Sequence, residues 1–152
     1  MPMATFAKLN LKDEAEIVVL NAPASFEPEL RSLKGVTVRR DAKGGDIGFS
    51  LAFVMTQKEV DTLGPQVAKK AKGDAIVWFA YPKGSSKKYK SQINRDNGWA
   101  VMGTAGFEPV RMVAIDEDWS AVRFRRAEFI KTLTRGKEHR MSAEGKARSA
   151  RK

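Results

Sequence analysis

The chain has 152 residues, with 28 lysines and arginines against 18 aspartates and glutamates, a formal net charge of +10, one histidine and no cysteine. That length suits a single domain that buries about 68–70% of its unfolded surface without covalent staples. The missing cysteines exclude disulfides, thiolate catalysis and cysteine-ligated metal centres, and the lone His139, in a polar stretch, leaves nothing for a histidine-rich metal cluster and argues against a Ser-His-Asp triad.

The charge is uneven. Residues 127–152 carry eight basic and three acidic side chains, and residues 1–126 carry 20 and 15. Such a balance favours polyanionic partners: nucleic acid, a membrane surface or a phosphorylated small molecule, with a protein partner as the other option. No run resembles a signal peptide and no apolar stretch approaches 18 residues, so no transmembrane segment and a cytoplasmic location are expected.

In chain order, Phe6, Leu9 and Leu11 are expected to pack at a sheet edge or one end of the domain. Glu16–Leu20 is a β-branched apolar run that reads as a buried parallel strand. Ser25 is placed to cap a helix reaching Leu33, with Pro28 in its first turn and Gly35 after it. Val36–Arg39 and Ile47–Val54 read as the next strands, separated by a Lys43–Asp46 turn. Thr56 and Glu59 have the spacing of a capping box, opening a helix with Val60, Leu63, Val67 and Ala71 on one face and Gly73 at its close. Gly64-Pro65 predicts a kink or a late start in that helix. Ala75–Ala80, apolar at every position, reads as the central strand.

Beyond the loop at 83–90, Ser91 predicts a helix carrying Ile93, Ala100, Val101 and Thr104 and ending at Gly106, although Asn97-Gly98 is also a hairpin signal. A crossover helix is favoured because a parallel-type strand needs one to return. Phe107–Ile115 and Ser120–Arg125 read as an antiparallel pair about an Asp116-Glu117-Asp118 turn, followed by a short helix over 127–134. Residues 1–135 therefore form one α/β domain, and 136–152 a basic tail expected to be disordered. The order β-α-β-β-α-β-α-β-β implies a Rossmann-like, doubly wound, mostly parallel sheet ending in an antiparallel strand pair.

That order is similar to the S-adenosylmethionine-dependent methyltransferase fold with one helix–strand unit missing. Trp78-x-Ala80-Tyr81-Pro82-Lys83, Arg95-Asp96-x-Gly98-Trp99 and Asp118-Trp119-Ser120-Ala121-x-Arg123-Phe124 also resemble a group of small uncharacterised bacterial proteins. The methyltransferase resemblance implies a glycine-rich loop after the first strand and an acidic residue after the second. This chain has Leu20-Asn21-Ala22-Pro23-Ala24-Ser25 at the first place and only Asp41, behind Arg39-Arg40, at the second. No cofactor is therefore expected.

The candidate ligand-binding residues lie where open α/β sheets keep their ligands, beyond the carboxyl ends of strands. Lys83, Ser85, Ser86, Lys87, Lys88 and Tyr89 offer charge, hydroxyls and a ring for a phosphate or a base; Asn21 follows the first strand; Arg95 and Trp99 are placed to cover a ligand. The plainer reading gives Trp78, Phe79 and Trp99 to the core and the lysines to loop solubility. Asp116, Glu117 and Asp118 read as a polar turn, with Asp118 accepting local hydrogen bonds, and not as a metal site. Arg123 and Arg125 share one strand face and extend the basic surface. No residue is nominated as catalytic. The residues favour a non-catalytic binding protein for an anionic ligand, with a degenerate or reduced adenosylmethionine-dependent methyltransferase-like enzyme, or a scaffold or regulatory subunit, as alternatives.

Overall fold

The computed structural model of the chain describes residues 6, 8–11, 14–33, 35–42, 44–93 and 98–130. The tail at 136–152, and the end of the helix expected over 127–134, lie outside the described residues; within them Ala127–Phe129 forms a 3₁₀ turn.

Six strands form one sheet among the described residues: β1 (Glu16–Leu20), β2 (Thr37–Arg39), β3 (Ile47–Phe53), β4 (Ala71–Pro82), β5 (Phe107–Ala114) and β6 (Trp119–Arg126). Their order is β2-β1-β3-β4-β6-β5. The first four pair in parallel, β6 lies antiparallel to β4, and β5 is antiparallel to β6. The mostly parallel sheet ending in an antiparallel pair is thus as the sequence implies. Because β5 is two reversals away from β4, it points the same way as the parallel strands. The carboxyl ends of β1, β3, β4 and β5 all reach one edge of the sheet.

Helices cover both faces. A 3₁₀ turn at Ala24–Phe26 and α1 (Glu27–Arg31) lie on one side; α2 (Gln57–Lys70) and α3 (Ala100–Thr104) lie on the other. The alternation of β4 divides the core between them. Trp78 belongs to the layer with Phe26, Leu30, Phe49, Leu51 and Phe53, and Phe79 to the layer with Val60, Val67, Trp99, Met102 and Phe124. Phe6 and Leu9 do not sit at a sheet edge. They cover the first face, Phe6 between Phe26 and Phe49, and the Trp78 indole N–H donates to the Leu9 carbonyl at 2.8 Å.

Several local expectations are corrected. Ser25 lies inside the 3₁₀ turn and caps nothing; α1 starts after Phe26 with no side-chain cap and stops at Arg31, before Leu33. The Thr56–Glu59 capping box forms as its spacing requires, with Thr56 Oγ1 accepting from the Glu59 amide at 3.1 Å. The helix it opens runs through Pro65 without a break, although Pro65 has no N–H for the Asp61 carbonyl. Gly64 lets that turn approach α3: a Cβ there would stand 3.0 Å from Val101 Cγ1 and 3.2 Å from Met102 Sδ. The helix ends at Lys70, not at Gly73, because Ala71 already pairs with Ile47 in the sheet. Residues 72–75 then bulge out before Phe49 meets Ile76, and Gly73 takes the left-handed φ of 58° that the bulge needs.

The helix expected from Ser91 is only the five residues of α3. Ser91 instead closes a local turn, its hydroxyl bonded to both the amide (3.1 Å) and the carbonyl (2.8 Å) of Ile93. Gly98, at φ 103°, breaks any continuous helix, and a Cβ there would collide with Cγ2 of Ile93 and come within 2.9 Å of its Cβ. We predict that Gly98→Ala costs about 2–4 kcal/mol, combining left-handed strain with overpacking. Gly35→Ala, at φ 71° with nothing within 4 Å of the new methyl group, should cost only about 1–2 kcal/mol. Urea unfolding midpoints compare the two, and equal midpoints would refute the clash.

Candidate ligand site at the carboxyl edge of the sheet

Four segments meet at this edge: Asn21–Pro23 after β1, Val54–Thr56 after β3, the 83–93 loop after β4 and the 116–118 turn after β5. The chain leaves β1 to one side and, after β2, returns to β3 on the other. The crevice between the ends of β1 and β3 is therefore the topological switch point, where such sheets hold ligands.

Asn21 stands at that crevice in a left-handed conformation, φ 58°, which asparagine tolerates better than most side chains. Its amide donates to Glu59 Oε2 at 3.5 Å. Glu59 Oε1 accepts from the amides of Met55 (2.7 Å) and Thr56 (3.1 Å), and the amide of Gln57 donates to Gln92 Oε1 (3.0 Å). The positive end of the α2 dipole, an anion site in many α/β proteins, is here held by the chain's own Glu59, Thr56 and Gln92. Neither the role of Gln92 nor the Asn21–Glu59 pairing is visible in the sequence, because the partners are 35 and 38 residues apart and no local pattern announces them.

The lysine loop lies beside this crevice, on the far side of β3. Lys83 donates its backbone N–H to the Asp118 carbonyl at 2.8 Å, fastening the loop to the β5–β6 turn. Ser86 Oγ donates to Asp118 Oδ1 (2.8 Å) and accepts from the amides of Lys88 (3.3 Å) and Tyr89 (3.1 Å), so its hydroxyl is already engaged. Within the acidic turn, it is Asp116, not Asp118, that accepts the local bonds, from the amides of Asp118 (2.8 Å) and Trp119 (2.9 Å). The Asp118 carboxylate reaches across to Ser86, 32 residues away in sequence, which is why its role cannot be read locally. Tyr89 packs on Trp119 with ring centroids 5.1 Å apart, and the Lys88 ammonium lies 5.4 Å from the Tyr89 centroid.

Between loop and turn opens a cleft of about 500 Å³ lined by Ser85, Ser86, Lys87, Lys88, Glu117 and Asp118. The loop contributes two lysines and two serines to the lining, and the turn two acidic residues. The structure thus brings Ser85, Ser86, Lys87 and Lys88 together and leaves Asn21 apart, at the switch point. Trp99 is buried against Phe79, Tyr81 and Phe124 and offers no open ring face. Arg95 lies outside the described residues. Among those residues no group of three potential ligands could hold a metal, and no helix is long and apolar enough to cross a membrane.

The sheet order, with one reversed strand inserted before the last, has counterparts among solved structures. Magnesium protoporphyrin IX methyltransferase from Synechocystis PCC 6803 superposes with a TM-score of 0.53 at 11% identity, over 83% of this chain and 80% of that one. The N-methyltransferase NodS from Bradyrhizobium japonicum gives 0.53 at 10% identity, over 81% and 93%. A SAM-dependent methyltransferase from Aquifex aeolicus gives 0.52 at 12% identity, over 82% and 88%. The chain has the fold of the S-adenosylmethionine-dependent methyltransferases. No protein-family model and no curated protein matches it.

The methyltransferase fold makes adenosylmethionine the cofactor to test against these residues, and they do not fit it. The crevice has the Asn21 side chain, latched to Glu59, where a glycine-rich loop is implied. Where an acid is implied after β2, two guanidiniums stand: Arg39 pairs with Glu16 at 3.0 Å, and Arg40 makes a two-pronged pair with Glu27 at 2.8 and 2.9 Å. The Arg40 partnership, chiefly its hydrogen bonds, holds the Glu27 carboxyl below its ordinary pKa. Asp41 is exposed behind them.

Removing the Ser86 hydroxyl should free the loop. For Ser86→Ala we expect faster amide exchange at Lys88 and Tyr89 and a stability loss of about 1 kcal/mol, the usual net worth of such a bond. Unchanged exchange at both amides would show that the Asp118 tether does not order the loop.

Proposed function

We propose that this chain is a reduced, methyltransferase-like protein that has kept the sheet and lost the cofactor seat, and that it acts by binding an anionic ligand without transferring a methyl group. One observation carries this reading: polar groups at the carboxyl edge are bonded to each other, Asn21 to Glu59 at the switch-point crevice and Arg40 to Glu27 beyond β2, in place of open backbone and a free carboxylate. A ligand seated there must first break those pairs.

The open cleft between the lysine loop and the acidic turn supports a ligand with two kinds of group. A phosphate suits the exposed Lys87 and Lys88, and hydroxyl or amino donors suit Glu117 and Asp118. A phosphorylated small molecule satisfies both walls, whereas a nucleic acid strand would bring its phosphates against two carboxylates. The net charge of +10 supports the same class of ligand by steering anions toward the protein.

A second reading, an enzyme that still uses adenosylmethionine, is favoured by the match to methyltransferases over at least 80% of both chains. Calorimetry separates the two. Titration of adenosylmethionine and of adenosylhomocysteine at moderate salt is expected to give no saturable heat. A stoichiometric, saturable isotherm with either would replace the first reading with the second.

A further inference from the structure

We propose that the sheet face around Arg123 is a second binding surface, for the phosphate backbone of a nucleic acid strand. The register places Arg111 of β5 directly opposite Arg123 of β6, and Arg125 two residues further along the same face. Directly opposed residues of neighbouring antiparallel strands have Cα atoms only about 4.5–5.5 Å apart, and like charges so placed destabilise a sheet. Arg125 is compensated: Asp74 accepts from its Nε at 2.8 Å and its Nη2 at 2.6 Å. Arg111 and Arg123 have no ion pair among the described residues.

Arg123 is the more telling of the two. On its other side it neighbours the fully buried Trp78, and its Nε is buried without a hydrogen-bond partner. Burial first, and then the positive charge of Arg125, push its pKa below the ordinary arginine value; Asp74 offsets part of this and Arg111 adds to it. An unmatched, half-buried guanidinium facing a second guanidinium is costly to keep. A phosphate accepting from both would convert that repulsion into two charge-assisted hydrogen bonds, and the planar guanidinium suits phosphate oxygens.

The spacing of the cations favours a strand over a small ion. On this face α1, Phe6 and Leu9 pack over β1, β3 and Trp78, and Lys8 reaches the end of β5. Of the facing pair, Arg111 is exposed and Arg123 half-buried, whereas Trp119, Ala121 and Glu108 on the same face are buried. The cations of this face form a row: Lys8, whose ammonium donates to the Ala114 carbonyl at 3.4 Å, then Arg111, Arg123 and Arg125. Two residues along a strand span about 6.8 Å, so the row can meet a chain of phosphates in succession, whereas a single phosphate meets only one pair of cations. The surface is separate from the lysine cleft, and its ligand is independent of what that cleft binds.

The test uses the full chain and a labelled single-stranded oligonucleotide, followed by fluorescence anisotropy over a salt series. The exposed Arg111→Glu variant keeps the core intact, the Arg111→Gln/Arg123→Gln double variant removes both guanidiniums, and Lys69→Gln, exposed on α2, controls for the change in net charge. We expect the salt slope to fall by about 0.7 for each phosphate no longer neutralised, hence by about 0.7 in the double variant, whose two guanidiniums share one phosphate. Lys69→Gln should leave the slope near the parental value. No salt-dependent oligonucleotide binding by the parent, binding of inorganic phosphate alone, or a parental slope and affinity in Arg111→Glu would each overturn the proposal. Should the double variant fail to fold, Arg111→Glu decides the matter, because its side chain contributes nothing to the core. Failure here leaves the calorimetric test of adenosylmethionine untouched.

Discussion

The structure depends on one strand being buried from both sides. From Val77 to Ala80, β4 exposes no side chain, and consecutive residues enter opposite layers of the core. Trp78 fills the layer under α1, with its indole N–H satisfied by the Leu9 carbonyl. Phe79 fills the other, against Trp99 at 5.6 Å and Phe124 at 5.9 Å. A strand with no polar face needs a neighbour on each side and a cover on each face. β3 pairs with it in parallel, β6 in antiparallel, and helices or the N-terminal segment close the two faces. Loss of a buried aromatic from such a strand typically costs about 3–5 kcal/mol, a large share of a domain's marginal stability.

The same burial determines what hangs at the ligand edge. β4 leaves the core at Pro82, and the lysine loop begins at once. Its anchor is the β5–β6 turn, through the Lys83 amide and Ser86 hydroxyl, both directed at Asp118. On the other side of β3, α2 begins with its first amides already accepted by Thr56 and Gln92, while Glu59 closes the capping box. Charge is therefore neutralised inside the protein at the edge where open α/β sheets hold their ligands. The uncompensated positive charge lies elsewhere, on the lysines of the loop and on the Arg111–Arg123 pair of the sheet.

Legibility follows the range of each interaction. Thr56-x-x-Glu59 is readable because both partners of the capping box lie within four residues. β4 is readable because six consecutive apolar residues, Ala75–Ala80, fit little besides a strand covered on both faces. Ser25 and Ser91 mislead differently: Ser25 falls inside a 3₁₀ turn and caps nothing, whereas the Ser91 hydroxyl closes a tight local turn instead of capping a helix. At Ser91 the reason is Gly98, whose positive φ ends any continuous helix before α3. Gly73 looks like a helix stop, yet the stop is imposed earlier, where Ala71 is drawn into pairing with Ile47. In the candidate site, the loop and its lysines are visible in the sequence, but the Asp118 anchor, Gln92 and the Asn21–Glu59 latch are not.

The sequence by itself determined the layered α/β fold, the order of strands and helices, the centrality of β4 and the departure from a glycine-rich cofactor loop. Each of these is written in local composition, in periodicity or in the identity of a single short segment. Tertiary structure alone decided which polar groups are already taken. Ser86, Asn21 and Arg40 look free in a linear chain and are engaged in the folded one, whereas Arg123 looks like an ordinary surface cation and is half-buried opposite another arginine. The physical reason is that burial and charge pairing depend on distances in space between segments far apart in the chain, and no local pattern encodes those distances.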